Sequence, residues 1–355
     1  MRDDGGWGMT ERRLFLDAGP GEARGVVLLD GRPERLLIRR DDDVASQAVG
    51  ARVVGRVRKL ERQLALAFVD LGDGPEGVLN LRPEMGRLNE GQAVEVEVRS
   101  EARAGKGAQL RLVAEAEGAP RLKDAAPALE IELASFAPRA EIVRGPAARA
   151  AADAAEAEGL ERVFPLPGGG SIAIEPTRAL IAIDIDVGER PGAEAKRATR
   201  AANLAALGTA ARVLRLKGEG GLVVIDLAGR GHDGPALLTA ARAAFAPDNP
   251  GVAFGPISRF GTLELTIPRR RRSLAERLLD ANGRPTAQTF ALRLLRALES
   301  AALDDPGARL EARAAADVVA AASPYLSALE GRFGARLRLV ADASLGPAKF
   351  DVVAL

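Results

Sequence analysis

The sequence has no cysteine and only one histidine, and these two shortages exclude several classes of chemistry. Without cysteine, the chain has no disulfides, iron–sulfur clusters or thiolate zinc sites. With His232 alone, it has neither a histidine metal cage nor a two-histidine acid–base pair. No serine–histidine–aspartate signature surrounds His232, and its context, GRGHDG, predicts a loop. Candidate catalytic groups must therefore be sought first among the carboxylates.

Aromatic residues, excess charge and long apolar runs are also scarce. Aromatics form 3% of the 355 residues, and the formal net charge of +1 gives no overall field that would attract nucleic acid. No apolar run is long enough to cross a bilayer, and the opening MRDDGGWGMT lacks the basic and apolar regions of a signal peptide. We therefore expect a cytoplasmic protein with no membrane partner. Residues 1–8 show no strand pattern, so we expect them to be disordered and translation to begin at Met9.

Two acidic residues interrupt an apolar, β-branched run at residues 180–187, LIAIDIDV. Because strand side chains alternate, Asp184 and Asp186 leave the same face, with Cα atoms about 6.6 Å apart. Carboxylates in a core strand cost desolvation free energy unless they are compensated, and a hard cation such as Mg²⁺ or Mn²⁺ would compensate them. A solvated strand end or arginine partners would do so equally well.

A second acidic strand, GLVVIDL at residues 221–227, follows a helix predicted over residues 193–217. Its Asp226 lies at the carboxyl end, where ligand sites of α/β sheets gather. Another helix is predicted over residues 234–245, and VAFGPISRFGTLELTI then predicts a strand pair. This alternation indicates an α/β layer structure.

Residues 48–115 carry about five short strands separated by glycine turns, the pattern of a small OB-type barrel. Such barrels bind single-stranded nucleic acid through aromatic and basic side chains. Phe68 is the only aromatic residue of the segment, and Lys106 is among its basic ones. A core position for Phe68 and a solvated face for the charges are the alternative interpretation.

Several segments, in this order, resemble the catalytic half of the bacterial ribonuclease E and G family: GRVRKLERQLALAFVDLG, LPGGGSIAIEPTRALIAIDID, GEGGLVVIDL and ISRFGTLEL. The resemblance covers nearly the whole chain. It implies an α/β fold with a ribonuclease-H-like core, an OB-type β-barrel RNA-binding domain and a small C-terminal α/β domain. The implied divisions are N-terminal strands that form part of the core (1–47), the barrel (48–115), a shortened connecting segment (116–165), the ribonuclease-H-like catalytic core (166–270) and the C-terminal domain (271–355).

The resemblance also implies an activity, a metal-dependent endoribonuclease that cleaves single-stranded RNA in RNA processing or decay. Asp184 matches a metal-binding aspartate of the family, and Asp186 stands where the family has asparagine. The predicted catalytic residues are Asp184, Asp186 and Asp226, and Asp233 joins them as a predicted ligand of Mg²⁺ or Mn²⁺. We expect at least three of these four carboxylates to face one cleft. The predicted RNA contacts are Phe68, Lys106, Arg259 as a phosphate clamp, and Arg144 as a remnant of a phosphate-binding motif.

Departures from the family pattern limit these expectations. Gly229 replaces the second metal-binding aspartate, so a catalytically weakened or inactive RNA-binding protein is the alternative function. LLDANGRPT stands where the family has zinc-binding cysteines, so we expect neither zinc nor a zinc-linked dimer. Most of the segment that senses a 5′ monophosphate is missing, so we expect no strong 5′-end preference. An enzyme acting on a small ligand is disfavoured, because no phosphate loop of the G-x-x-x-x-G-K-S/T type is present.

Overall fold

The structure is a computed structural model that describes residues 11–103, 105–188, 195–248, 251–346 and 349–355, so the predictions for residues 1–8 and Met9 lie outside it. The described residues form nineteen β-strands and seven α-helices. The strands are β1 (Arg12–Gly19), β2 (Glu22–Leu29), β3 (Arg32–Arg40), β4 (Arg52–Glu61), β5 (Leu66–Asp70), β6 (Gly77–Asn80), β7 (Ala93–Ser100), β8 (Gln109–Glu115), β9 (Arg121–Asp124), β10 (Ile142–Val143), β11 (Val163–Pro165), β12 (Ser171–Pro176), β13 (Ile181–Asp186), β14 (Gly221–Asp226), β15 (Ala253–Ile257), β16 (Thr262–Ile267), β17 (Leu310–Ala314), β18 (Leu337–Ala341) and β19 (Phe350–Ala354). The helices are α1 (Leu129–Phe136), α2 (Pro146–Leu160), α3 (Ala195–Lys217), α4 (Gly234–Ala244), α5 (Leu274–Leu278), α6 (Ala287–Asp304) and α7 (Ala316–Phe333).

The first sheet has four strands in the order β10-β1-β2-β3, so the first three strands of the chain are joined by β10. This sheet contacts α2, and β3 also contacts α3. Helix α2 begins at Pro146, whose fixed φ and missing N–H suit a first helical turn. Its buried face consists of small residues, Ala148, Ala152 and Ala155, at helical spacing. Small side chains let α2 approach the sheet closely, so α2 and α3 lie beside the N-terminal strands.

The second sheet has the order β11-β12-β13-β14-β16-β15, and only β13 and β14 run parallel among its paired strands. Helix α3 connects these two parallel strands. Ile183 and Ile225 are buried with residues of α3 and α4 in one hydrophobic core. The alternate residues point to the other face, where Leu222 and Glu264 are exposed. We call this side the open sheet face.

The third unit is a closed barrel of five strands, β4, β5, β6, β8 and β7, with β9 added beside β4. The β4–β5 pairing closes it. Alternate residues such as Val53, Val69 and Val96 fill its core. A mixed α/β fold with an OB-like barrel was predicted from the sequence, and the structure confirms both features. The ribonuclease-H-like assignment of residues 166–270 and the domain divisions stay predictions.

The C-terminal part packs α6 and α7 against a sheet of order β18-β17-β19. The sequence pattern predicts helices over residues 287–302 and 312–333, the second interrupted near Pro324, and then two strands around a turn. The structure differs in three details. Residues 312–314, expected to begin a helix, lie in the central strand β17 because both neighbours pair with it. The last two strands therefore flank β17 and do not pair with each other. Helix α7 continues through Pro324, which is exposed, so water can satisfy the carbonyl that its missing N–H leaves free.

Arginines fix these units to one another. The run PRRRR at residues 268–272 is by its sequence either a phosphate-binding patch or a solvated linker, and a run alone favours the linker. In the structure Arg269, Arg271 and Arg272 pair with carboxylates. Their partners are Glu219, Glu132 and Asp43. Because these acids belong to three different segments of the chain, the arginine run holds those segments together through ion pairs.

A second group of charges joins β1 and β2 to α2. Arg24 is 1% exposed and reaches Asp17 at 2.5 Å, Asp153 at 2.7 Å and Glu156 at 3.2 Å. Arg293 of α6 also reaches Glu156, at 2.6 Å. We call these residues the Arg24 cluster. It ties the first sheet to the C-terminal part through α2. Within the described part of the chain, no helix is long and apolar enough to cross a bilayer.

Candidate active site on the open sheet face

The structure places Asp184 and Asp226 side by side. They are register partners across the parallel strands β13 and β14, so their Cα atoms lie about 4.8 Å apart and their side chains leave the same face. Both residues are exposed on the open sheet face. No described residue gives either carboxylate a hydrogen bond or an ion pair. Two neighbouring carboxylates on one surface can bind a cation between them.

Asp186 and Asp233 also accept hydrogen bonds from other residues of the protein. Asp186 lies one step further along the same face, and its Oδ1 accepts a hydrogen bond from the Gly188 N–H at 2.8 Å. Asp233 caps α4 by accepting from the Ala236 N–H, and its other oxygen bonds Arg200 at 3.1 Å. Three of the four predicted carboxylates therefore share a sheet face, whereas Asp233 serves a helix terminus. In the described ranges, no three acidic or histidine side chains converge as a metal-binding group.

Two carboxylates nevertheless suit Mg²⁺, because protein Mg²⁺ sites combine one or two carboxylates with waters and substrate phosphates. The observation that supports this fit is the register of Asp184 with Asp226, which brings two hard oxygen donors together without a competing arginine among the described residues. The donor set lacks sulfur and imidazole, so it favours a hard cation.

The conformation of the loop after β14 favours glycine at position 229. The buried side chain of Asn203 on α3 holds the loop by accepting from the Ala228 N–H and donating to the Ala228 carbonyl, both at 3.0 Å. Gly229 follows with φ +83°, and a Cβ there would lie 2.9 Å from the Thr199 Cγ2. An aspartate at 229 would thus be strained in its backbone and crowded by Thr199. Sequence reasoning did not identify Asn203. The signal that could have revealed it is a polar residue within the apolar pattern of a helix.

The β15–β16 hairpin borders the same site. Thr262 is the register partner of Asp226, and the Gly261 carbonyl accepts from the Leu227 N–H at 3.1 Å. At the tip, the guanidinium of Arg259 lies 4.7 Å from the ring centroid of Phe260. The ring is 78% exposed. The structure therefore places the predicted Arg259 in the turn between β15 and β16, next to an aromatic that sequence reasoning missed.

The sequence of this region resembles that of a known protein family. Residues 143–272 match the model of the ribonuclease E/G family. Over this segment the chain is similar to that family. The carboxylate pair, the Gly229 loop and the Phe260 hairpin all lie inside the matched residues, whereas the barrel lies outside them.

Curated proteins named as ribonucleases are similar to part of the chain. The chain is similar to ribonuclease E of Haemophilus influenzae, with 35% identity over 155 residues, which cover 41% of this chain and 17% of that protein. Ribonuclease E of Escherichia coli is 34% identical over 155 residues, covering 41% and 15%. The chloroplastic ribonuclease E/G-like protein of Arabidopsis thaliana is 34% identical over 125 residues, covering 34% and 12%. The matched segment thus spans less than a fifth of each relative.

In the barrel, Phe68 lies outside the core. Its neighbours Ala67 and Val69 are buried, whereas Phe68 is half-buried on the outer side between Lys59 and Val78. The alternative interpretation as a core residue is therefore wrong. A half-exposed ring beside an ammonium group is suited to stacking on a nucleobase.

Lys106 is exposed and lines a cleft of about 1160 Å³ with Arg103, Arg162 and Lys217. Burial lowers the pKa of Lys217, whose Nζ donates to the Gly159 carbonyl at 2.8 Å. The cleft reaches Pro176, the residue of β12 furthest from the Asp186 end of β13. Lys106 is thus not grouped with the carboxylate pair.

Arg144 lies just after β10, on the first sheet rather than on the open sheet face. It is 55% exposed and its contact with Glu130, at 3.4 Å, is long. A guanidinium in this state is accessible to a phosphate, but it is part of a different surface from Asp184.

Proposed function

We propose that this chain is a metal-dependent endoribonuclease that cleaves single-stranded RNA at the open sheet face. The register pairing of Asp184 with Asp226, inside the segment shared with the ribonuclease E/G family, carries the proposal. The relatives that share this segment are named as ribonucleases. A cytoplasmic location and a role in RNA processing or decay belong to the same proposal.

In this proposal Asp184 and Asp226 hold Mg²⁺ or Mn²⁺, and water and RNA phosphate complete its coordination. Asp186 adds negative charge beside them, and no zinc is needed. When bound there, a divalent ion would supply a water of lowered pKa and positive charge to offset that of the phosphate. Arg259 contacts phosphate oxygens with its guanidinium fork. Phe68 and Lys106 hold more distant nucleotides of the strand.

The direct test uses the full chain with a short single-stranded RNA, labelled at its 5′ end. We expect cleavage in Mg²⁺ or Mn²⁺, none in EDTA, and little of the same RNA in a perfect duplex, because stacked and paired bases are not free to enter the site. Product lengths resolved on a denaturing gel distinguish internal cuts from trimming of the ends. Failure of both metals to support cleavage would overturn the proposal.

The second candidate function is RNA binding without cleavage, and the Gly229 loop favours it. To test it, Gly229→Asp is made alone and together with Thr199→Ser, which keeps the hydroxyl but removes the crowding methyl group. We expect the single variant to lose about 1–3 kcal/mol of unfolding free energy, the cost of holding a non-glycine residue at positive φ. Urea denaturation should show part of the loss recovered in the double variant.

Cleavage by the same variants separates the two functions. If the unchanged chain does not cleave RNA and the double variant does, the chain is an RNA-binding protein whose second ligand is gone. If the unchanged chain already cleaves, two carboxylates are sufficient.

A further inference from the structure

We propose that Phe260 is a base-stacking residue, which positions one nucleotide of a single-stranded RNA beside the Asp184–Asp226 pair. This inference rests on the proposed function, because it concerns how the substrate is held at the same site. It assigns a role to a residue that lies within the segment ISRFGTLEL but is not among the predicted RNA contacts.

The first observation is the exposure of the ring. The chain has only ten phenylalanines, one tyrosine and one tryptophan. Phe260 is 78% exposed, the most exposed of the large hydrophobic residues described. A single exposed apolar residue is common on protein surfaces, but an aromatic ring with this exposure offers a large, rigid face on which a planar ligand can stack.

The second observation is that the ring sits on a fixed support. The Ser258 and Thr262 hydroxyls hydrogen-bond at 2.8 Å across the turn, and the Ser258 Oγ accepts from the Phe260 N–H at 3.2 Å. The Gly261 carbonyl anchors the turn to Leu227, which directly follows Asp226. The backbone at Phe260 is thereby tied to the strand that carries one of the two carboxylates.

The third observation is Arg259. Its guanidinium covers part of the Phe260 ring at 4.7 Å, a cation–π contact, and the ring still keeps most of its surface in water. Single-stranded RNA is recognised by bases that stack on aromatic rings or on arginine planes, and its phosphates pair with guanidinium groups. An arginine and a phenylalanine side by side supply both contacts for one nucleotide.

The position relative to the carboxylates completes the argument. Phe260 is two residues from Thr262, and Thr262, Asp226 and Asp184 form one continuous row across β16, β14 and β13. A base held at Phe260 would therefore place its phosphate within a nucleotide or two of the carboxylate pair. The chemistry selects an unstacked nucleobase of a single strand, because the faces of a base inside a duplex are covered by its stacked neighbours.

The test measures binding, so that it does not depend on cleavage. The full chain is titrated into a labelled, fully 2′-O-methylated single-stranded RNA, which resists hydrolysis, and fluorescence anisotropy gives the Kd. We expect Phe260→Ala and Phe260→Leu each to weaken binding about tenfold, equal to about 1.4 kcal/mol. Phe260→Trp should bind as tightly as the unchanged protein or more tightly. Ile131→Ala, at another exposed hydrophobic residue on α1, is the matched control and should change nothing.

Two further probes identify stacking. A 2-aminopurine in the RNA should be quenched by the unchanged protein and by Phe260→Trp, but not by Phe260→Leu. An abasic oligomer should bind the unchanged protein and Phe260→Ala equally. If Phe260→Leu retains full affinity, or if the abasic oligomer shows the same loss as RNA, base stacking at Phe260 is wrong while RNA binding stands. If the unchanged chain binds no single-stranded RNA, both the stacking role and the proposed function fail.

Discussion

Asp184→Asn is expected to lower metal-dependent cleavage of single-stranded RNA by about 10²–10³-fold, the effect typical of removing one electrostatic stabiliser of a transition state. Asparagine has nearly the same shape as aspartate but lacks the charge that would hold a cation. Because Asp184 is exposed and has no described hydrogen-bond or ion-pair partner, the substitution removes no folding contact. Circular dichroism and thermal unfolding should therefore show an intact fold, and gel-based initial rates give the loss.

Two matched variants make this result specific. Glu175→Gln removes an exposed charge from β12, on the same sheet, and should leave the rate unchanged. Asp186→Asn keeps an oxygen for the Gly188 N–H and should cost far less than Asp184→Asn. Equal rates for Asp184→Asn and the unchanged chain would remove Asp184 from the active site. A loss as large at Glu175 would mean that overall surface charge, rather than a defined site, controls the rate.

Arg24→Met is expected to lower the free energy of unfolding by about 3–5 kcal/mol, the usual cost of removing one partner from a buried ionic group. The substitution leaves Asp17 and Glu156 buried without their shared cation. Arg144→Met, which breaks a long and exposed contact with Glu130, is the control and should cost at most about 1 kcal/mol. Urea denaturation followed by circular dichroism measures both. A loss at Arg24 no larger than at Arg144 would contradict the structural role of the Arg24 cluster.

The same cluster predicts how stability changes with pH. Burial alone would raise the pKa of Glu156, but Arg293 and Arg296 more than offset it and hold the pKa below its ordinary value of 4.5. A carboxyl with a lowered folded-state pKa stabilises the protein above the unfolded-state pKa. Its contribution is lost as pH falls from about 4.5 through the lower folded-state value. Glu156→Gln should therefore weaken the dependence of unfolding free energy on pH in that acid range.

The sequence was sufficient for features that depend on local pattern. Alternation of isoleucine and aspartate in LIAIDID predicted which face of β13 would be buried, and the helix between the acidic strands predicted that Asp184 and Asp226 would be neighbours. Short strands separated by glycines predicted the barrel. These signals arise from periodicity within one element, so a single sequence contains them.

Features that depend on distant parts of the chain were not predictable. The Arg24 cluster joins residues of β1, β2, α2 and α6, and nothing in the spacing of its arginines and acids shows that they meet. Residues 312–314 fit a helix by composition, and only pairing with β18 and β19 makes them a strand. The exposure of Phe260 depends on a turn held by a neighbouring loop. A lone aromatic in ISRFG could equally have been buried.

The side-by-side placement of Asp184 and Asp226 has a consequence for the protein at rest. Like charges directly opposite each other on adjacent strands destabilise a sheet. The fold therefore tolerates a small, permanent repulsion at this edge, which any divalent cation would relieve and which a neutral residue would abolish. A variant with a neutral residue at position 184 or 226 is therefore expected to unfold at a higher temperature than the unchanged chain.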